Sequence, residues 1–366
     1  MTADRIDFFV PLLLGGGAER VVVDLSQEFA RRGRRVRVLV GSARGELASE
    51  FQGGAKLVDF RAPRTSLAIP ALARLLRSDP PDVLISFLTH ANVTAVLARS
   101  LARRQTPLVL TEHNVLSEAA SSGHRRDRVL PAIARRTHAR AEALVSCSSG
   151  VTRDLARTLG MTPDRIATIP NPVITPGVLQ GAEEDVDLQL LVPEGASLVV
   201  AAGRLVPQKG FDVLIRAVAL ARRHRDVRLL VLGEGPDRSD LEALVSDLGL
   251  DGVVRLHGWV DNPYVYLARA DVFALSSRYE GMPNVLVSAL ALGTSIVATD
   301  CSSGPRELLD DGALGRLVPV EDAVEFADAL LEALASPPSR VPEAAWEPYT
   351  LRRSADRYLE LCDRLG

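Results

Sequence analysis

The run Asp271-Val272-Phe273-Ala274-Leu275, followed by Tyr279-Glu280-Gly281-Met282-Pro283-Asn284 and then Val285-Leu286-Val287-Ser288-Ala289-Leu290-Ala291, decides how the chain is read. The first part is a short apolar stretch of the kind that forms a strand buried on both faces. The last part is small, apolar and suited to a buried helix, and a flexible Gly-Met-Pro turn separates the two. Strand, loop and helix in that order form the repeating unit of a parallel α/β sheet, which binds ligands at the carboxyl ends of its strands. Pro283 suits the first turn of the helix, whose free N–H groups can receive a phosphate oxygen. Glu280 repels phosphate, so it faces another part of the ligand, one with hydroxyls to donate. The alternative is an acidic side chain that only complements the helix dipole.

A second loop has the same placement. Leu198-Val199-Val200-Ala201-Ala202 reads as a strand, and Gly203-Arg204-Leu205-Val206-Pro207-Gln208-Lys209-Gly210-Phe211-Asp212 follows it. Asp212 is expected to cap a helix whose apolar face is Leu214, Ile215, Val218 and Ala219. Arg204 and Lys209 then flank one loop, placed to clamp a diphosphate. Of 43 basic residues only Lys56 and Lys209 are lysine. A chain that writes nearly every cation as arginine, yet has lysine here, points to a site that wants a compact point charge. A phosphate clamp beside a hydroxyl acceptor fits a sugar nucleotide.

At 366 residues the chain exceeds one ordinary core and is expected to form two domains. Its 47% hydrophobic and 4% aromatic content fits an Ala/Val/Leu-rich α/β protein, and no stretch reaches the ~20 apolar residues of a membrane span. The start Met1-Thr2-Ala3-Asp4-Arg5 does not read as a signal peptide. Cys147, Cys301 and Cys362 are far apart without metal-ligand spacing, so a reducing cytoplasm is the expected location. The net charge of -3 divides unevenly. Residues 1–175 hold 25 Lys+Arg against 16 Asp+Glu, a balance of +9, and residues 176–366 hold 18 against 30, a balance of -12. The basic half lacks the aromatic interleaving and motifs of nucleic-acid binding, so no nucleic-acid partner is expected. An anionic membrane surface fits it better, with Arg125-Arg126-Asp127-Arg128-Val129-Leu130-Pro131-Ala132-Ile133-Ala134-Arg135-Arg136 as the contact.

Strands are expected at Ile6–Leu14, Val36–Val40, Val83–Leu88, Leu108–Thr111 and Leu144–Ser146, with helices between them. The first helix carries Ala18, Val21, Val22, Leu25 and Phe29 on one face. Residues 176–195 read as a Pro/Gly/acidic linker. A second alternation then uses strands around Val199, Leu229–Leu232, Val253–His257, Val272–Leu275 and Ile296–Ala298. Pro337, Pro338, Pro342 and Pro348 break the chain before a last helix from about Thr350 to Leu365. The fold class is therefore α/β: two facing Rossmann-like, doubly wound parallel-sheet domains with a cleft between them.

These motifs occur with Gly15-Gly16-Gly17-Ala18-Glu19-Arg20, Thr111-Glu112-His113-Asn114 and Pro170-Asn171-Pro172-Val173. Gly233-Glu234-Gly235-Pro236, His257-Gly258-Trp259-Val260 and Ser303-Gly304-Pro305 complete the set. Their order along nearly the whole chain resembles the retaining glycosyltransferases of family 4, which have the GT-B fold. The resemblance implies an acceptor domain over 1–175, completed by a C-terminal helix over 350–366, and a donor domain over 176–349. It implies a nucleotide-sugar donor, most simply a UDP-sugar, and a glycan or polyprenyl-linked acceptor in cell-surface polysaccharide or glycoconjugate synthesis. Peripheral attachment to the inner face of the membrane would suit such an acceptor.

His113, at the end of a strand, is carried over as a catalytic-site residue contacting the donor sugar, alongside Arg204, Lys209 and Glu280. Gly281, Met282, Pro283, Asn284 and Val285 are expected to hold the sugar and the distal phosphate, and Val260 the base through its backbone. Trp259 reads as ordinary packing. Gly16, Gly17 and Gly235 lie in tight turns that can approach the donor, although a turn without a ligand fits them equally. Ser288 departs from the pattern: similar enzymes have there a second glutamate that holds the ribose hydroxyls. Serine is shorter and neutral. Asp185-Val186-Asp187 has the outline of a metal motif but lies in the expected linker, so neither a metal nor a cofactor is expected. A non-catalytic GT-B subunit and a GT-B UDP-sugar epimerase are the alternatives.

Overall fold

The computed structural model describes residues 2–51, 54–121, 125–188, 192–336 and 341–366; it does not describe the side chains of 46, 119–121 and 125–128. The Arg125–Arg128 side chains of the expected membrane contact thus fall outside the described residues, as do Pro337 and Pro338. The chain divides into Met1–Pro172 with Tyr349–Gly366, and Val173–Pro348.

In the first unit seven parallel strands, β1 (Arg5–Val10), β2 (Arg35–Val40), β3 (Lys56–Asp59), β4 (Val83–Phe87), β5 (Leu108–Glu112), β6 (Ala143–Ser146) and β7 (Ile166–Thr168), lie in the order β3-β2-β1-β4-β5-β6-β7. Helices α1 (Gly17–Arg31), α2 (Ile69–Ser78), α3 (Thr89–Ala102), α4 (Leu116–Ser121), α5 (Arg125–His138) and α6 (Ser149–Leu159) connect them. Both sheet faces are covered, which is why β4 is apolar except for Ser86 and β1 is apolar from Phe8 to Val10. Val21, Val22, Leu25 and Phe29 of α1 pack on one face, together with Ala355, Tyr358 and Cys362 of the C-terminal helix, Leu351–Leu365. Leu72 of α2, Ala95 of α3, Ala134 of α5 and Leu155 of α6 share a core cluster with Phe9, Leu39, Leu84 and Leu110 on the other.

In the second unit six parallel strands, β8 (Ser197–Ala202), β9 (Val227–Leu232), β10 (Val254–Gly258), β11 (Val272–Leu275), β12 (Ser295–Thr299) and β13 (Arg316–Val318), run β10-β9-β8-β11-β12-β13. Its helices are α7 (Pro176–Glu183), α8 (Phe211–Ala221), α9 (Arg238–Asp247), α10 (Tyr264–Leu267), α11 (Asn284–Ala291), α12 (Pro305–Leu308) and α13 (Ala323–Ala335). The strand order reverses between β8 and β11, so the loops after these strands open side by side at a topological switch point.

The structure differs from the sequence reading at several places. β1 stops at Val10, because Pro11 has no N–H to continue the ladder. The expected linker contains α7, whose end carbonyls are held by distant side chains: Asn262 Nδ2 donates to Gly181 O at 2.8 Å, and Arg269 donates to Ala182 O and Glu184 O. The outer strands β3, β7 and β13 are three or four residues long and were not expected.

Candidate functional site

The loops after β8, β9, β10 and β11 are tied to one another residue by residue. Leu205 N–H donates to Glu234 O at 2.9 Å, and Gly233 N–H to Gly258 O at 2.7 Å. A Cβ on Gly235 would lie 2.2 Å from Leu205 O, so only glycine allows the β9 loop to close on the β8 loop. Gly210, at φ +60°, lies equally close to Ser276 O and brings the β8 loop against the β11 loop. Gly210 is also the N-cap of α8, the role expected of Asp212. Asp212 instead receives both Nη atoms of Arg278, at 3.0 and 2.9 Å. Burial would raise the Asp212 pKa, but the bonds and charge of Arg278 outweigh it and hold the carboxyl below its usual range.

Lys209 and Glu280 meet. Lys209 Nζ lies 2.5 Å from Glu280 Oε1, which also accepts from Ser277 Oγ at 2.6 Å. Glu280 is only 6% exposed, so the pair sits in a partly desolvated position where charge-assisted bonds are strong. This differs from the expectation of a lysine reserved for phosphate and a glutamate facing away from it. Arg204 is exposed and has no side-chain partner among the described residues. The Gly281–Pro283 turn is buried, and Ser303 Oγ donates to Gly281 O at 2.9 Å. Pro283 is the N-cap of α11 rather than part of its first turn, so Asn284 and Val285 begin the helix.

Ser288 is buried on α11, and its Oγ donates to Asn284 O at 3.3 Å, a bond back along its own helix that uses its only proton. Trp259 is 52% exposed rather than packed in the core, and its Nε1 donates to Asp261 Oδ1 at 3.3 Å. Val260 follows it in the β10 loop. Asp185 is fully exposed, 3.8 Å from Arg269. Among the described residues no three His, Cys, Asp or Glu side chains converge as a metal site.

In the first unit His113 follows β5, buried, with its ring stacked on Phe87 at 5.4 Å and its Nε2 3.2 Å from Thr111 Oγ1. Burial lowers its pKa to about 4, against the charge of Glu112 and a side-chain hydrogen bond to Asn171, so the ring is neutral. Its Nδ1 is buried with no hydrogen-bond partner among the described residues. Behind it Glu112 points the other way, accepting from Thr89 Oγ1, Asn92 Nδ2 and His138 Nε2. The sequence reading missed this buried cluster; the polar residue at a strand end was its only local signal. At the glycine turn, Gly15 and Gly16 donate their N–H groups to Glu19 Oε2 at 2.9 and 3.1 Å. Glu19 therefore occupies the place an incoming anion would take at Gly16, and Gly17 opens α1.

Two sequence families match the chain: Glycosyltransferase Family 4 over residues 15–175, and Glycosyl transferases group 1 over 196–336. The N-acetylgalactosamine-N,N'-diacetylbacillosaminyl-diphospho-undecaprenol 4-alpha-N-acetylgalactosaminyltransferase of Campylobacter jejuni is 30% identical over 327 residues, covering 87% of each chain. The lipopolysaccharide core biosynthesis glycosyltransferase LpsE of Rhizobium meliloti is 30% identical over 356 residues, covering 94% of this chain and 95% of that one. Among solved structures, Anabaena HepE in complex with UDP and glucose superposes with a TM-score of 0.78 at 20% identity, covering 97% of this chain and 98% of that one. With two doubly wound parallel sheets and relatives of this identity along most of its length, the chain belongs to glycosyltransferase family 4, the glycosyl transferases group 1, and has the GT-B fold.

Proposed function

We propose that this glycosyltransferase moves a hexose or N-acetylhexosamine from a UDP-sugar to a glycan or polyprenyl-linked acceptor, with retention at the anomeric carbon. The observation that carries the reading is the Lys209–Glu280 pair at the β8/β11 switch point, with the exposed Arg204 in the same loop. The bond from the sugar C1 to the diphosphate oxygen breaks while the acceptor oxygen attacks the same face, and the acceptor proton goes to the leaving diphosphate. Arg204, Lys209 and the first N–H groups of α11 stabilise the charge that develops on the diphosphate, which dominates catalysis where no protein nucleophile acts. This assignment needs no metal. Glu280 and the Gly281–Asn284 backbone orient the sugar, with Met282 in the buried turn, and His113 is proposed as a further catalytic-site residue. The names of the Campylobacter and Rhizobium relatives support a lipid-linked or lipopolysaccharide acceptor, and the HepE complex supports UDP. UDP release from a panel of UDP-sugars, with and without polyprenyl-linked acceptors, tests the reading. Acceptor-dependent release is expected. No release from any donor would leave the non-catalytic reading, and interconversion of donor sugars would favour the epimerase.

The enzyme is also proposed to work at the cytoplasmic face of the membrane. Two exposed aliphatic pairs, Leu97 with Leu101 on α3 and Val129 with Ile133 on α5, support this, because the two helices share one core cluster and their outer faces are neighbours.

A further inference from the structure

We propose that Arg278 is a positioning residue: its guanidinium locks the β8 loop to the β11 loop and thereby fixes where Lys209 stands against the leaving diphosphate. The inference rests on the donor reading above. A guanidinium has five N–H donors in a rigid fork, and here each has an acceptor. Nη1 reaches Pro207 O at 2.5 Å and Asp212 Oδ1 at 3.0 Å. Nη2 reaches Asp212 Oδ2 at 2.9 Å and Glu321 Oε2 at 3.2 Å, and Nε donates to Glu321 Oε1. The backbone runs alongside. Arg278 N–H donates to Gln208 O at 2.8 Å, Gln208 Nε2 returns to Tyr279 O at 2.9 Å, and Ser276 Oγ donates to Lys209 O at 2.8 Å. Pro207, Gln208, Lys209 and Asp212 are thus each tied to residues 276–279, with Lys209 in the middle.

Arg278 stands two residues before Glu280, where an arginine invites assignment to phosphate. Its position argues otherwise. Two carboxylates more than cancel its charge, and no N–H remains for a ligand. Arg204, exposed in the neighbouring loop, is the arginine with charge to offer. The role of Arg278 is therefore geometric, and lysine, with one point charge and no fork, cannot replace it. Misplacement of a reacting group by about 1 Å can cost on the order of a hundredfold in rate.

The test uses the full chain with a UDP-sugar that the wild type turns over, reading kcat, KM, UDP affinity by calorimetry and Tm. In Arg278→Lys, kcat should fall about tenfold or more and by a larger factor than UDP affinity, because a misplaced Lys209 still attracts the diphosphate of bound UDP and the contacts to base and ribose are untouched. In a Lys209→Ala background, Arg278→Lys should cost no further kcat, since its effect passes through the lysine. A folded Arg278→Lys enzyme with kcat within about twofold of wild type, or an undiminished loss in the Lys209→Ala background, overturns the proposal. Should Arg278→Lys not fold, Asp212→Asn decides: it keeps the guanidinium and removes one counter-charge, so kcat should fall while UDP still binds, and unchanged kcat overturns the proposal. A wild type that releases no UDP from any donor refutes the donor reading and this inference with it; an active wild type with an equally active Arg278→Lys refutes the inference alone.

Discussion

Lys209 is already charge-paired before any phosphate arrives, because Glu280 Oε1 holds it at 2.5 Å. A donor diphosphate can take over the ammonium without leaving it bare, and the released carboxylate can then accept sugar hydroxyls. Each charge-assisted bond contributes about 1.5–3 kcal/mol. Lys209→Ala should therefore lower kcat/KM at least about tenfold with the fold intact, and near-normal turnover would remove the loop from the mechanism. His113 makes a different prediction, one about pH. Burial takes its pKa from 6.5 to about 4, so between those values the unfolded chain binds more protons than the folded one. Its contribution to stability is complete above pH 6.5 and falls as the pH drops towards 4, by up to about 1.4 kcal/mol per unit. His113→Gln should show a smaller loss of Tm between pH 7 and pH 5 than the wild type, and equal losses would mean that the ring is not held neutral. Asp24 on α1 has the opposite sign. Burial raises its carboxyl from 3.8 to about 7, so its contribution is present at low pH and lost as the pH rises through 7. Asp24→Asn should gain Tm over the wild type at pH 8 and not at pH 4.

At the scale of elements, the site depends on loops that approach closely enough to exclude a methyl group. A Cβ on Gly235 would meet Leu205 O at 2.2 Å and Leu205 N at 2.6 Å, both backbone atoms that cannot turn aside. Gly235→Ala should cost about 1–3 kcal/mol, the usual range for overpacking. It should also weaken UDP binding by moving the β8 loop. Gly177 of α7, whose added Cβ would stand 3.6 Å from Thr175 Oγ1, is the comparison: alanine there should be neutral or stabilising. Equal Tm changes for the two variants would show that the loop contact carries no strain. The same loops explain what could be read from sequence. Apolar runs followed at once by Gly203-Arg204 or Gly233-Glu234, or after Ser276-Ser277-Arg278-Tyr279 by Glu280-Gly281, mark strand ends, because the period and the glycines lie within a few residues. Features set by distant partners were not legible. α7 depends on Asn262 and Arg269, and Asp212, expected to cap α8, is held by Arg278 instead. The Gly15–Gly16 amides have a local partner, Glu19, but its reach back to them requires the turn to be seen. Ser288 was legible as a departure from the family pattern, but its bond to Asn284 O requires the helix to be seen.

For the molecule as a whole, the charge balance is +9 over residues 1–175 and -12 over 176–366, so the proposed membrane attachment would use the first, basic part of the chain. The exposed outer faces of α3 and α5 carry Leu97, Leu101, Val129 and Ile133 beside Arg103, Arg104, Arg135, Arg136 and Arg140. Aliphatic pairs four residues apart lie on one helix face, and neighbouring helices widen that face into a patch rimmed by arginine. Such a patch fits the boundary between headgroups and acyl chains, where each basic residue near an anionic surface adds about 1 kcal/mol. No helix among the described residues is long and apolar enough to cross a membrane. Sedimentation should recover the protein with vesicles containing phosphatidylserine far better than with phosphatidylcholine alone. Added salt should reduce that recovery as the screening length shortens from about 10 Å at 0.1 M. Leu101→Ser with Ile133→Ser should weaken binding while leaving turnover of a water-soluble acceptor unchanged, because neither residue belongs to the donor site. Equal recovery with neutral and anionic vesicles would remove the membrane from the reading and leave the patch as an apolar stretch on a solvated face. Loss of soluble-acceptor turnover in the double variant would show instead that α3 and α5 support the His113 loop, through Asn92 and His138 and their bonds to Glu112.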